Sequence, residues 1–293
     1  VLNALRIIAP LYIKTILCGY PPFVKDIVDD AVALKINLKK LKMSFIFAAE
    51  TFTEEFRDYI AKFCGVKNVY RNFFNIYGSA DIGSMAAETG LSVIIKRAAL
   101  KNQGLFQALF SQTAKTPTLA QFIPEHINFE SINGELFLTG NNTIPLVRFG
   151  LGDRGGVLNF NDMLIKNRDA GINVLALARL FGIDDYILEL PFVYVYERID
   201  FSVTLYGILI YPEYIKAVAL EKKLRKFITG RFTMLTKYDA QQNQYLEINF
   251  ELKRRIKENK MIKSFILNET VKHFKAKSAE YRELSGHLGA RAY

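Results

Sequence analysis

Residues 43–79, MSFIFAAETFTEEFRDYIAKFCGVKNVYRNFFNIYGS, decide the fold class. The short apolar run Met43–Ala48 predicts a buried strand. Thr51 and Glu54 have the spacing of the two polar residues that cap the start of a helix, which apolar residues at helical intervals then continue. The aromatic run Val69–Ile76 predicts a second strand. Strand, helix and strand in this order are typical of an α/β layer.

The chain after this layer carries helix, loop and strand signals in turn. Gly90–Ala114 is predicted as helix, and Thr116–Pro124, with a proline near each end, is predicted as a loop. Three short apolar runs separated by turn residues predict a small antiparallel sheet, namely Ile127–Phe129, Glu135–Thr139 and Pro145–Phe149. The glycine-rich stretch Gly150–Gly156 is expected to interrupt that sheet.

A change of pattern near residue 200 predicts a domain boundary. The charged stretch Glu197–Asp200 is followed by the apolar run Phe201–Tyr211, and Pro212 predicts the start of a helix. Two alternating strands and one or two helices come next, at Phe232–Tyr238, Tyr245–Leu252 and Arg254–Leu284. We therefore predict an α/β protein with a large domain over residues 1–199 and a small α+β domain over residues 200–293.

Composition narrows the class of protein. Half of the 293 residues are hydrophobic, which is enough for a large core. The apolar runs are far shorter than a membrane span and no cleavage site follows the N-terminal segment, so we expect no membrane span, no signal peptide and no membrane partner. Cys18 and Cys64 have no nearby His and indicate neither a disulfide nor a zinc site, which favours a reducing cytoplasm.

The net charge of +10 would suit an anionic partner such as a nucleotide, coenzyme A or a nucleic acid. The basic residues are spread over the sequence, mostly on helical stretches such as Lys216–Arg231 and Lys253–Lys277, and we interpret them as solvated faces. No nucleic-acid-binding motif accompanies them, so we expect no nucleic-acid partner. The three His residues lie far apart without metal-ligand spacing.

One stretch matches the spacing of a dinucleotide-binding fingerprint, Gly150-Leu-Gly-Asp-Arg-Gly155. That fingerprint needs a helix directly after it, whereas residues 156–160 continue as strand or turn. We interpret the match as accidental. A Gly-x4-Gly-Lys-Ser/Thr phosphate loop and a Gly-x-Ser-x-Gly nucleophile elbow are both absent from the sequence.

Four segments in order resemble motifs of the adenylate-forming enzymes, which activate a carboxylate with ATP: Asn75–Asp81, Gly134–Thr139, Pro145–Asp153 and Arg198–Pro212. They are similar to the Tyr-Gly-x-Thr/Ser-Glu, Gly-Glu-Leu-x-x-Thr, Arg-Tyr-x-x-Gly-Asp and hinge motifs. A fifth, Ala48–Thr53, resembles the Gly-Ala-Glu-Pro-Trp-Thr stretch of the phenylacetate–coenzyme A ligase branch. Four motifs in the family order are more specific than any one alone.

The resemblance implies a role for each matching residue. Tyr77 would stack on adenine, and Asp153 would accept hydrogen bonds from the ribose hydroxyls. Asp81 would bind Mg²⁺, Arg198 would pair with ribose or phosphate oxygens, and Asp200 would be the pivot of the mobile small domain. The remaining predicted nucleotide-binding residues are Ala49, Glu50, Gly78, Ser79 and Ala80.

Each of these residues also has an ordinary structural interpretation. Tyr77 could be a strand-end tyrosine, Asp153 a turn residue, and Arg198 with Asp200 a surface ion pair. The sequence also departs from the family. Asp81 replaces a Glu and Ala80 replaces a hydroxyl residue, while two hinge positions are changed, at Glu197 and Phe201.

The resemblance implies a two-step reaction. A carboxylate and ATP form an acyl-adenylate and pyrophosphate, and a thiol, expected to be coenzyme A, then displaces AMP. Expected partners are ATP, Mg²⁺, coenzyme A and a small carboxylic acid, with an aryl acid as one option and a homodimer as one option for assembly. The alternatives are a ligase that adenylates something other than a free organic acid, and a non-catalytic descendant that binds a metabolite or protein partner.

Two family elements are missing from the sequence. The phosphate loop is expected upstream of Val1, and the late lysine is expected after Tyr293 or absent. Because the chain also begins with Val, we expect a fragment of a longer product. As it stands, it is expected to bind nucleotide incompletely and to turn over poorly.

Overall fold

The structure, a computed structural model, describes residues 1–48, 51–111, 116–141, 145–198, 202–219, 221, 223–224 and 226–289. The chain divides into two compact units, Val1–Ile199 and Asp200–Tyr293. This boundary is the one drawn from the sequence, while the roles given to the two parts stay predictions. No helix within these ranges is long and apolar enough to cross a membrane.

The first unit is built on a sheet of nine strands among the described residues. Its strands are β1 (Thr15–Gly19), β2 (Met43–Ala48), β3 (Phe73–Ser79), β4 (Gly83–Ala87), β5 (Thr118–Gln121), β6 (Ile127–Ile132), β7 (Glu135–Asn141), β8 (Pro145–Leu158) and β9 (Phe192–Arg198). Its α-helices are α1 (Pro21–Ala33), α2 (Glu54–Cys64), α3 (Val69–Asn72), α4 (Gly90–Lys101), α5 (Gln103–Leu109), α6 (Phe160–Asp169) and α7 (Val174–Leu180).

The strands follow the spatial order β1-β2-β3-β4-β5-β9-β8-β7-β6. The pairings β1–β2 and β2–β3 are parallel, and every later pairing is antiparallel. Helices α1 and α2 belong to a core with β1, β2 and β3 in which Phe45, Phe47, Phe56 and Phe73 are fully buried. The mixed sheet with helices confirms the predicted α/β class.

Two predicted starts in the first layer are wrong by a few residues. Helix α2 is capped by Thr53, whose hydroxyl accepts the Phe56 N–H at 3.2 Å, and not by Thr51. The predicted strand Val69–Ile76 begins as the helical turn α3, which Asn68 caps by accepting the Tyr70 N–H. In both cases a nearer side-chain oxygen satisfies a backbone N–H at the helix start.

The segment after β4 also differs from its prediction. The predicted helix Gly90–Ala114 is two helices, because Asn102 ends α4 and its side chain caps α5 by accepting the Leu105 N–H at 3.0 Å. The predicted loop Thr116–Pro124 contains strand β5, whose four residues are all buried. Its two prolines flank the strand and leave its pairing with β9 intact.

The three short strands predicted after residue 126 are confirmed as an antiparallel set, β6–β7–β8. They are not a separate sheet, since β8 also pairs with β9 and so joins the large one. Gly150–Gly156 lies within β8 and does not interrupt it. The helix α6 begins at Phe160, well after Gly155, which agrees with the accidental fingerprint match.

Among its described residues, the second unit contains two β-hairpins and three α-helices. Its elements are β10 (Val203–Leu205), β11 (Ile208–Ile210), α8 (Pro212–Ala219), β12 (Ile228–Tyr238), β13 (Gln244–Leu252), α9 (Lys260–Lys277) and α10 (Ala279–Leu288). The predicted strands at 232–238 and 245–252 are confirmed, and so is Pro212 at a helix start. The apolar run after residue 201 is a hairpin, because Tyr206 and Gly207 turn the chain with positive φ.

The two cysteines differ in exposure, which gives a chemical test of the fold. Cys18 lies exposed on β1, whereas Cys64 is buried on α2, and burial raises the pKa of its thiol to about 12. Because the thiolate is the reactive form, we expect Ellman's reagent at mildly alkaline pH to modify Cys18 in the folded chain and both cysteines after denaturation. A Cys18→Ser variant should give no reaction when folded. Prompt reaction of the folded variant would contradict the placement of α2.

Candidate functional site

The hairpin of β3 and β4 carries four of the eight predicted nucleotide-binding residues, Tyr77, Gly78, Ser79 and Ala80, together with the predicted Mg²⁺ ligand Asp81. In its register, Gly78 lies opposite Ser84 and Ser79 lies opposite Gly83. A side chain at position 78 would collide with the Gly83 carbonyl, so the close approach of the two strands requires glycine there. Ala80 and Asp81 are exposed in the turn.

Tyr77 and Asp153, which the sequence analysis assigned to adenine and ribose, are in direct contact. The Tyr77 hydroxyl donates a hydrogen bond to Asp153 Oδ2 at 2.7 Å. The Tyr77 ring also stacks on Phe129, with centroids 6.0 Å apart. Three strands separate β3 from β8 in the sheet order, so the sheet must curve to bring these residues together. Residues 76 positions apart in sequence thus form one half-buried cluster.

The other predicted residues are placed only in part. Arg198 ends β9 and is the register partner of Asp153, although its side chain lies outside the described part of the structure. Ala49, Glu50 and Asp200 are also outside the described residues. The backbone therefore brings Arg198 beside the Tyr77–Asp153 pair, and the roles of all these residues stay predictions.

Comparison with known proteins bears on the fold. No model of a known protein family matches the chain, and no curated protein matches it. It is similar to the solved structure of 2-hydroxyisobutyryl-CoA ligase in complex with 2-HIB-AMP and CoA in the thioesterification state. The TM-score is 0.55 at 14% identity, over 94% of this chain and 50% of that one. The amide bond synthetase McbA from Marinactinospora thermotolerans gives 0.49 at 8% identity, over 89% and 45%.

The chain shares its fold with part of this CoA ligase. It spans about half the length of the solved structures that it matches. At such low identity the likeness shows the architecture, and substrate, cofactors and the phenylacetate branch belong to the proposal below.

Asp81 is the predicted Mg²⁺ ligand. Its carboxylate is exposed at the hairpin turn, and the part of the chain that the structure describes contains no group of three or more His, Cys, Asp or Glu side chains that could hold a metal ion. Mg²⁺ in nucleotide sites is commonly held by one or two carboxylates together with substrate phosphates and water. A single carboxylate fits that arrangement, so Asp81 could hold Mg²⁺ only together with a bound nucleotide.

Sequence analysis missed a buried charged cluster next to the hairpin, formed by Glu54, Arg57, Glu88 and Lys96. Arg57 Nη2 lies 2.5 Å from Glu88 Oε2, and Arg57 Nε lies 3.0 Å from Glu54 Oε2. Lys96 Nζ contacts the same two carboxylates, at 2.8 Å from Glu54 and 2.6 Å from Glu88. The four side chains are 8% exposed or less. Buried charges of this kind need partners, and here each has at least two.

This buried charged cluster ties several elements together. Glu54 and Arg57 are on α2, Lys96 is on α4, and Glu88 directly follows β4, where its N–H donates to the Asn75 carbonyl of β3 at 2.8 Å. Burial alone would raise the pKa of Glu54, but the charges of Arg57 and Lys96 outweigh it and hold that pKa well below its ordinary range. The cluster therefore fixes the helices against the strand pair that carries Tyr77.

The signal for the cluster in the sequence is weak. Glu54 and Arg57 have the (i, i+3) spacing of an ordinary surface pair, and nothing local shows that they are buried. Lys96 gives a better hint, because it follows the apolar stretch Val93–Ile95 inside a helix. Only the fold shows that these residues meet Glu88.

Proposed function

We propose that the chain is part of an ATP-dependent ligase that converts a carboxylate into an acyl-adenylate and then, with coenzyme A, into a thioester. The phenylacetate–coenzyme A ligase branch is the family whose motifs it resembles most closely. The observation that carries the proposal is the 2.7 Å contact between Tyr77 and Asp153. Two motifs that the resemblance assigns to one nucleotide lie side by side in a fold that a CoA ligase also has.

The residues around the Tyr77–Asp153 contact have side chains that can bind a nucleotide. The Tyr77 ring offers a flat surface for a base, and stacking of this kind is worth about 1–3 kcal/mol. The Asp153 carboxylate can accept hydrogen bonds from two ribose hydroxyls, with the Tyr77 hydroxyl orienting it. Arg198, opposite Asp153 in the sheet, would supply donors to ribose or phosphate oxygens.

In the adenylation step, the protein would mainly position the reacting groups and would form no covalent bond to them. A carboxylate attacks the α-phosphorus in line while pyrophosphate leaves, so the protein has to align the groups and stabilise the negative charge. Mg²⁺ would supply part of that charge stabilisation, held through Asp81. Asp200 would be the pivot on which the second unit moves between the two half-reactions.

Calorimetric titration of AMP, with GMP as the control nucleotide, tests the proposal on this chain. We expect adenine-selective binding that Asp153→Ala weakens by about tenfold or more, since hydrogen bonds to a charged group are worth about 1.5–3 kcal/mol. Asp185→Ala is the matched control, because Asp185 is an exposed carboxylate that is not among the predicted nucleotide-binding residues. Tyr77→Phe keeps the ring and should retain the preference for AMP over GMP.

Two outcomes would contradict the nucleotide site. One is equal affinity for AMP and GMP in the unaltered chain, or no binding of either. The other is the same loss in Asp153→Ala and Asp185→Ala. Where AMP binds, ATP–pyrophosphate exchange that depends on an added acid and needs no thiol would identify a carboxylate-activating enzyme and contradict the non-catalytic alternative.

A further inference from the structure

The positive charge of the chain is concentrated in one unit. Residues 200–293 contain eighteen Lys and Arg against ten Asp and Glu, a net of eight positive charges, whereas residues 1–199 contain twenty-one against nineteen, a net of two. The two helical stretches to which the sequence analysis assigned most of the basic residues, 216–231 and 253–277, both lie in this second unit. A unit of this size with eight net positive charges has a strong positive electrostatic potential.

The fold brings together two basic segments of this unit, residues 221–227 and 253–260. The Lys253 N–H donates to the Phe227 carbonyl at 2.8 Å, and the rings of Phe227 and Phe265 lie 5.9 Å apart. Phe227 and Lys253 are 26 residues apart in sequence, and this contact makes their segments neighbours. A groove of about 270 Å³, which we call the basic groove, lies between the first of these segments and the start of α9. It is lined by Lys223, Lys226, Phe227, Met261, Ile262 and Phe265.

The cations of these two segments, of which Lys223 and Lys226 line the basic groove, are exposed and mostly unpaired. Lys223 makes one long ion pair, 3.8 Å to Glu269. In the described part of the chain, no ion pair involves the six other basic residues of these segments, which are Lys226, Lys253, Arg254, Arg255, Lys257 and Lys260. Two acidic residues, Glu221 and Glu258, lie in the same segments. Lys222 and Arg225 add two more positive charges by sequence and lie outside the described residues.

The basic groove also presents apolar surface to solvent. Met261, in the first turn of α9, is 75% exposed between Lys260 and Ile262. Phe227 and Phe265 also line the groove, where both rings are half-buried and pack edge to face. Unpaired cations around a projecting apolar side chain match an anionic lipid surface, which offers phosphate groups above hydrocarbon.

We infer that the basic groove is a docking surface for a membrane rich in anionic phospholipid. Lys and Arg side chains near such a surface each add to its attraction, and clusters of four to eight are typical of peripheral membrane binding. Met261 would enter the interface while the lysines contact phosphates. Docking of this kind needs no membrane-spanning helix, and it differs from the sequence-based expectation of no membrane partner.

Vesicle flotation with the full chain tests the inference. We expect the chain to float with vesicles of phosphatidylcholine and phosphatidylglycerol at low salt, to dissociate at high salt, and to ignore pure phosphatidylcholine. Lys257→Glu/Lys260→Glu should weaken partitioning by about tenfold or more. The matched control is Lys272→Glu/Lys277→Glu, which changes the same charge on exposed positions further along α9 and should have a much smaller effect.

A Met261→Ser variant separates a membrane from other polyanions. It should weaken vesicle binding and leave the salt-sensitive retention on heparin unchanged. Absence of binding to anionic vesicles, or an equal loss in the two double-lysine variants, would overturn the inference. So would binding to single-stranded DNA that competes fully with the vesicles and is insensitive to Met261→Ser, since that would indicate a nucleic-acid surface.

Discussion

Replacing Arg57 by Met is expected to lower the free energy of unfolding of the first unit by about 3–5 kcal/mol. Arg57 is fully buried, and its guanidinium contacts both Glu54 and Glu88. Its Cζ also lies 4.9 Å from the centre of the Phe52 ring. Met would fill much of the space but would leave two buried carboxylates with Lys96 as their main remaining cation. Urea denaturation followed by circular dichroism measures the loss.

The loss should depend on pH. The pKa of Glu54 is held below its ordinary value of 4.5, so this carboxylate stabilises the fold above that value and ceases to do so as the pH falls towards its folded-state pKa. Removing Arg57 removes one of the two charges that lower this pKa. We therefore expect the difference between Arg57→Met and the unaltered chain to be largest near neutral pH and to shrink in acid.

Arg97→Met is the matched control for Arg57→Met. Arg97 contacts Glu54 at 2.7 Å and Asp58 at 2.7 Å, but its side chain is 22% exposed at the rim of the buried charged cluster. A rim pair of this kind is expected to contribute about 0–1 kcal/mol. The double variant Arg57→Met/Glu88→Gln should recover part of the stability, because it removes one of the two buried carboxylates that would otherwise share Lys96. Equal losses in the two single variants would show that burial of Arg57 does not matter.

The elements that the sequence predicted well are those with a local cause. Strand β2 is an apolar run with one serine in it, and Pro212 begins a helix because its fixed φ suits the first helical position. Strand β5 was missed because Leu119 and Ala120 form only a short run between prolines. Its burial between β4 and β9 is a property of the whole sheet.

The site shows the same difference between local and distant causes. Gly78 and Ser79 could be assigned from a motif within one hairpin. The contact of Tyr77 with Asp153 depends on the curvature of the sheet, and only the resemblance suggested it. The buried charged cluster was missed altogether, because Glu88 is far in sequence from Arg57 and carries no motif of its own.

Replacing Gly155 by Ala is expected to cost about 3 kcal/mol, at the upper end of the range for overpacking. Gly155 lies in β8 opposite Val195 of β9, and a methyl group on its Cα would collide with the Tyr194 carbonyl and lie 2.9 Å from Leu136 Cδ1. Because the first of these is a backbone atom within a paired strand, it cannot move without separating β8 from β9. The urea midpoint of the first unit should fall accordingly.

Gly150→Ala in the same strand is the matched control. A methyl group there would meet Phe137 and Glu135 side-chain atoms at 3.3 and 3.4 Å, and both side chains can adjust. The consequence for the site follows from position, since Asp153 lies two residues before Gly155 and opposite Arg198. We expect Gly155→Ala to weaken AMP binding under conditions where it remains folded, and Gly150→Ala to leave it nearly unchanged. If both variants unfold at the same urea concentration, the close β8–β9 approach is not what requires glycine at position 155.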